Sequence, residues 1–215
     1  MTYRDLVQRI GQTLGVSVLG QALPAHYANT ILPIVEETLN RLGKIHALDF
    51  MREVREISGV SGYDFVVEGN PLSIQSLIID GYQFQPVSLE TVLKLKQSVG
   101  IGFRDYGQAE TSREEWDVYC YDRGNIKTAI DHSDAQLTFI AVNPIQSISL
   151  ADESIVPVEL VESFRYIIAA NCVDVFSMPA MRRQSIQSRA LEAEHNLSMA
   201  SEQEENVTAV EVEFY

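Results

Sequence analysis

The sequence predicts an α+β protein: an antiparallel helical bundle made from N- and C-terminal helices, an inserted antiparallel β lobe, and a C-terminal extended arm. Three observations predict it. Apolar residues recur at helical spacing at both ends of the chain, and the middle switches to β-branched and aromatic runs punctuated by turn residues. The last eight residues, Thr208–Tyr215, alternate strictly: Val210, Val212 and Phe214 against Glu211, Glu213 and Tyr215. The expected division is 1–48 for the first half of the bundle, 49–150 for the lobe, 151–204 for the second half and 205–215 for the arm.

Tyr3, Leu6, Val7, Ile10 and Leu14 form the first helical stripe, which Gly15 and Gly20 end. Ile31, Ile34, Val35, Leu39 and Leu42 form the second, over Ala25–Leu42, with Gly43 as the expected stop. Pro33 within it implies either a start near Asn29-Thr30, placing Pro33 in the first turn, or a kink.

In the lobe, Phe50–Ile57, Tyr63–Val67, Ile74–Ile79 and Tyr82–Gln85 read as strands, with turns at Gly59, Gly62, Gly69-Asn70-Pro71 and Asp80-Gly81. Asp80-Gly81 is a tight-hairpin signal, and Pro86 closes the strand after it. Leu89–Gln97 reads as a short helix with Ser88 as N-cap, and Val99–Glu115 as a glycine-rich polar loop. Trp116–Tyr121, Ile126–Ile130 and Gln136–Val142 read as a three-stranded meander turning at Asp122–Asn125 and Asp131–Asp134.

The helical pattern then resumes. Pro157 suits the first turn of a helix lined by Leu160, Phe164, Ile167, Ile168, Cys172 and Val175. Met178-Pro179 breaks the run. A last helix, Ala180–Gln203, carries a narrow seam of Ile186, Ala190, Ala193, Leu197 and Ala200, small enough for a partner helix to approach closely. Arg182, Arg183, Arg189, Glu192 and Glu194 occupy its other faces.

Composition bounds the function. The chain has 215 residues, 46% of them hydrophobic, and a net charge of −14. Phosphate backbones are met by Lys and Arg, so this balance argues against a DNA-binding regulator. Cys120 and Cys172 read as buried free thiols rather than a disulfide. Met1–Asp5 has no apolar signal region, and no apolar run approaches the ~20 residues a membrane span needs. The expectation is synthesis in the host cytoplasm, no membrane partner, and chance status for the sequons at Asn196 and Asn206.

No catalytic constellation stands out, and the expectation is no enzyme, no cofactor and no metal. His26, His46, His132 and His195 supply no paired ligand spacing. Asp131-His132-Ser133-Asp134 has the letters of an ordinary hairpin turn. Gly100-Ile101-Gly102 lacks the third glycine of a dinucleotide fingerprint, and Gly59-Val60-Ser61-Gly62 misses the nucleophile-elbow spacing by one residue. Arg182-Arg183 reads either as a solvated helix face or as a site for phosphate or an acidic partner. The terminal strand has no hairpin mate nearby, so it either completes the protein's own sheet or adds to another chain.

The order of these elements resembles the head-to-tail adaptors of short-tailed bacteriophages, the tail tubular protein A or head completion family. The residues that carry the resemblance are the helical unit Thr2–Leu42, the strand run Leu137–Pro144, the helix start Pro157–Leu160, the helix Val161–Cys172, the polar helix Arg182–Gln203 and the short terminal arm. The resemblance implies a virion protein at the head–tail junction, in a homo-oligomeric ring, typically a dodecamer. Such a ring docks beneath the portal after genome packaging, helps retain DNA that passes without sequence-specific binding, and receives the tail nozzle. Val207, Val210, Val212, Phe214 and Tyr215, with Arg182 and Arg183, are the expected contacts to portal or neighbouring subunit. Two other readings stand beside it. One is a tail-completion or stopper protein of another tail type. The other is a cytosolic ligand-binding protein or enzyme with a pocket in the lobe lined by Trp116, Tyr119, Tyr121, Phe139 and His132.

Overall fold

Thr2 starts the first helix by exchanging hydrogen bonds with Asp5. The Thr2 hydroxyl accepts from the Asp5 N–H at 3.3 Å, and the Asp5 carboxylate accepts from the Thr2 N–H at 2.9 Å. Bonds from the Thr2 backbone and side chain hold the Asp5 carboxyl below its usual range. The computed structural model describes residues 1–46, 48–102 and 116–211, with the backbone alone for 98–102 and 200–211.

The chain divides into two compact units, Met1–Phe50 with Ile145–Tyr215, and Met51–Pro144. The first contains α1 (Tyr3–Leu14), α2 (Ala25–His46), α4 (Val161–Cys172) and α5 (Ala180–Glu211). In it α4 packs against α1, α2 and α5. Polar pins join segments far apart in the chain. The Asn40 side chain bonds both the N–H and the carbonyl of Ile145, at 2.8 and 2.9 Å, and Asn171 donates to the Thr38 hydroxyl at 2.8 Å.

α1 matches its predicted stripe, with Tyr3, Leu6, Val7, Ile10 and Leu14 buried and Gly15 left-handed at φ 80° as its C-cap. α2 starts at Ala25, so Pro33 lies inside the helix rather than in its first turn. Gly43 is not the stop either. It is buried, and α2 continues through Lys44 to His46, whose basic side chains suit the carbonyl end of a helix. In α5, Ile186, Ala190, Ala193 and Leu197 are buried, as the narrow seam predicts.

The C-terminal expectation needs correcting. α5 does not stop at Gln203 but runs to Glu211, so Thr208–Glu211 is helical and not the start of an extended arm. Extending an existing helix fixes one residue per new hydrogen bond, and Glu202–Glu205 and Ala209 are favourable helix residues. Two alternating residues at Val210-Glu211 do not reverse that. Val212–Tyr215 lies outside the described residues.

The second unit holds β1 (Arg52–Val66), β2 (Ser73–Ile79), β3 (Tyr82–Pro86), α3 (Leu89–Gly102), β4 (Val118–Asp122) and β5 (Asn125–Val142). β1 runs antiparallel along β5. The last part of β5 pairs with β2 and its first part with β4, while β2–β3 and β3–β4 pairings close a small four-strand, barrel-like sheet. Its interior is filled by Phe65, Leu77, Phe84, Tyr119, Leu137 and Phe139. Val92 of α3 packs on Val118, Cys120 and Ala129.

Two predicted turns prove to be bulges. Phe50–Ile57 and Tyr63–Val67 merge into β1, and Ile126–Ile130 and Gln136–Val142 merge into β5, so there is no three-stranded meander. Gly59 and Gly62 take φ 72° and 101°, and Asp134 takes φ 55°, within strands whose register shifts there. The Ser61 hydroxyl accepts the Asp134 N–H at 3.1 Å across the distortion. Residues that permit positive φ serve a bulge as well as a turn, and bulges bend long strands enough to curl a sheet. The tight turns at Asp80-Gly81 and Arg123-Gly124 do form, each with positive φ at both residues. Ser88 caps α3 by accepting the Thr91 N–H at 3.2 Å. α3 passes Gln97 to include Gly102, and 103–115 of the expected glycine-rich loop lies outside the described residues.

Candidate interaction surface

Arg182 sits in the first turn of α5, where the helix dipole disfavours a cation. Its position is explained by α1. Nε donates to the Thr13 carbonyl at 3.0 Å and Nη2 to the Gln12 carbonyl at 2.9 Å. These carbonyls end α1; that of Gln12 also accepts the Gly15 N–H at 3.1 Å, and the guanidinium adds a second donor there and meets the negative end of the dipole. A Cβ at Gly15 would collide with this guanidinium, and Gly15 is also left-handed. Arg182→Ala is expected to cost about 1–2 kcal/mol in urea unfolding. Gly15→Ala is expected to cost a similar amount, with the double variant costing less than the sum because both disrupt one contact.

Arg183 forms an exposed pair with Asp174 at 3.5 Å, a contact that adds little. Val207 and Val210 lie on α5, where only the backbone is described, and Val212, Phe214 and Tyr215 lie outside the described residues. Among the described side chains of the predicted set, Arg182 and Arg183 make separate contacts. Exposed apolar residues do stand on the two segments that Arg182 ties together. Val18 and Leu19, after α1, are 64% and 84% exposed, and Met181 is 86% exposed.

Sequence reasoning gave Tyr166 and Arg165 no role and placed Arg189 only on an outer face of the last helix, yet both arginines converge on Tyr166. The Tyr166 hydroxyl accepts from Arg165 Nη2 at 2.8 Å and also from Arg189. Burial alone would raise this hydroxyl, but the hydrogen bonds from Arg165 and Arg189, together with their charges, bring it below its ordinary value. Arg182, Arg165, Arg189, Tyr166 and Ser185 border a cleft of about 300 Å³ in the helical unit. The only sequence signal was the seven-residue spacing of Arg182 and Arg189, which puts them on one helix face.

The aromatic residues expected to line a pocket in the lobe serve its core instead. Tyr119 and Phe139 are fully buried, and the Tyr119 hydroxyl donates to the Ile74 carbonyl at 3.1 Å. The Tyr121 hydroxyl donates to the Pro71 carbonyl at 2.8 Å, and the His132 ring stands 5.8 Å from Phe65 and 5.6 Å from Phe84. Trp116 is half-buried ahead of β4. An open cleft of about 560 Å³ is bordered by Glu53, Arg55, Glu56, Val66, Glu68 and Phe139. Arg55 is committed there to Glu53 at 2.8 Å, the Glu68 carbonyl at 2.6 Å and Asn143 at 2.7 Å. Hydrogen bonds from Asn143 and Arg55 hold the Glu53 carboxyl below its usual range.

Among the described residues, no three His, Cys, Asp or Glu side chains are grouped to hold a metal, and no helix is long and apolar enough to cross a membrane. In comparisons with known proteins, no family model and no curated protein matches the chain.

Proposed function

We propose that the protein is a structural connector of a bacteriophage virion, a head-to-tail adaptor that assembles as a ring beneath the portal and carries the tail. The finer architecture belongs to this reading: an antiparallel bundle from both ends of the chain, the β lobe inserted in it, and the C-terminal segment as the reach toward a neighbour. The observation that supports it most is the length of α5. Its 32 residues span about 48 Å, against about 33 Å for the 22 residues of α2. We assign the C-terminal part of this longer helix to contact with another chain. The extended arm of the sequence-based reading becomes the end of this helix together with Val212–Tyr215.

In this reading Val207, Val210, Val212, Phe214 and Tyr215 contact portal or neighbouring subunit, and Arg182 keeps the base of the helix in place. The acidic excess lets DNA pass without adhering. Of the aromatic residues expected to line a ligand pocket in the lobe, Tyr119 is a core side chain, while Phe139, also buried, borders the open cleft.

Electron microscopy of the full chain mixed with the portal encoded beside it tests the reading. Rings seated on the portal are expected, and deletion of 205–215 is expected to abolish them without unfolding the remainder. A monomer indifferent to the portal at micromolar concentration would sink the connector reading.

A further inference from the structure

The chain has 30 Asp and Glu against 16 Lys and Arg, yet four of those cations gather around one small region. Arg165, Arg182 and Arg189 border the cleft at the end of α1, and Arg9 joins Arg165 at Glu162. Glu162 is the single carboxylate paired with these arginines among the described residues, at 3.4 Å from Arg9 and 3.1 Å from Arg165. Of the three arginines that border the cleft, only Arg165 is ion-paired with a carboxylate among the described residues, which leaves that border cationic.

We propose that this cleft binds a phosphate group carried by a small molecule. Guanidinium groups present planar forks of donors that match phosphate oxygens, and they remain charged at all physiological pH values. The Tyr166 hydroxyl already accepts from Arg165 and Arg189, so its own proton is directed to a further acceptor. The Arg165 Nε is buried and bonds to no protein acceptor, and the Ser185 hydroxyl adds another donor on the border. The two Arg182 bonds to Gln12 and Thr13 leave Nη1 unspent while fixing the orientation of the group. Several donors, one of them a phenol held by two cations, thus face a local charge that a dianion would neutralise.

Size and charge decide the class of ligand. A cleft of about 300 Å³ lies at the small end of ligand pockets. A nucleic-acid backbone would have to approach a chain of net charge −14, which repels its many phosphates. The proposal does not depend on the connector reading.

Calorimetric titration of the full chain with inorganic phosphate and with glycerol phosphate tests it, beside a short random-sequence duplex DNA. Saturable one-site binding of both small probes is expected, together with a rise in the thermal midpoint. Arg189→Gln is expected to weaken binding by about tenfold or more, the size of a lost charge-assisted hydrogen bond. Tyr166→Phe is expected to weaken it by a smaller factor. Arg183→Gln removes the same charge outside the cleft and is expected to leave affinity unchanged. Circular dichroism confirms that each variant is folded. Absence of saturation at millimolar phosphate would overturn the proposal. So would equal losses in Arg183→Gln and Arg189→Gln, or binding of the duplex alone.

Discussion

Replacing Phe164 with alanine is expected to destabilise the helical unit by about 3–5 kcal/mol, the usual loss for a large aromatic removed from a core. Phe164 is fully buried on α4, and its ring meets Phe50 edge-on at 6.0 Å between centroids. α4 is the helix that packs against α1, α2 and α5 together. A cavity there withdraws support from helices at both ends of the chain, so the loss is expected well outside α4. Hydrogen exchange supplies the measurement. Amides of α1 and α2 should lose protection in Phe164→Ala along with those of α4 and α5, although the former lie more than a hundred residues earlier in the chain. Loss confined to α4 and α5 would show that the two ends of the chain do not share a core. A domain is commonly stable by only about 5–15 kcal/mol, so the variant is also expected to yield less folded protein at physiological temperature. Ring formation should fail with it, whereas deletion of 205–215 should abolish rings and leave the exchange pattern of α1 and α2 intact.

The parts of this fold that were legible in the sequence are those set by short-range pattern. The stripe from Tyr3 to Leu14 and the seam from Ile186 to Leu197 are buried as their spacing predicts, because each faces one partner surface. Asp80-Gly81, Arg123-Gly124 and Ser88 act locally, and their roles followed from residue type. What the pattern misread was continuity. Gly59, Gly62 and Asp134 permit positive φ, and positive φ does not distinguish a chain that reverses from a strand that bulges and continues. Only the pairing partner, β1 against β5, decides between them. Thr208–Glu211 was misread for a related reason: Val210 and Glu211 alternate, but they follow directly on a growing helix. The Tyr166 cluster was illegible because it spans two helices. Arg182 reaches α1 across 169 residues of sequence, and nothing near Arg182 records that the carbonyls of Gln12 and Thr13 will face it.

Alkaline pH is expected to weaken both units through buried protons, with Cys172 and Tyr119 the most strongly shifted and Tyr3, Cys120 and Tyr121 raised beside them. Burial pushes the Cys172 thiol of the helical unit from an ordinary 9.0 up to about 12, and the Tyr119 hydroxyl of the lobe from 10.0 up to about 12. Both shifts raise the folded value, so the fold favours the protonated form. Below about pH 9 both states keep these protons and the stability they represent is intact. As pH rises from there toward 12, the unfolded chain releases protons that the native chain retains, and stability falls. At 1.36 kcal/mol per unit the full loss is of order 4 kcal/mol for Cys172 and 3 kcal/mol for Tyr119, reached only near pH 12. The variants isolate each group. Cys172→Ala is expected to cost about 1 kcal/mol at neutral pH through lost packing, yet to decline less steeply above pH 9. Tyr119→Phe gives up the bond to the Ile74 carbonyl, about 1 kcal/mol, and should flatten the alkaline decline of the lobe alone. Guanidinium unfolding at stepped pH checks both, with circular dichroism following the helices and Trp116, the single tryptophan, following the lobe. Native Cys172 should also resist aryl-disulfide reagents at mildly alkaline pH and react once unfolded, since the thiolate is the nucleophile. An alkaline decline in Cys172→Ala as steep as that of the parent would place the titrating group elsewhere in the helical unit.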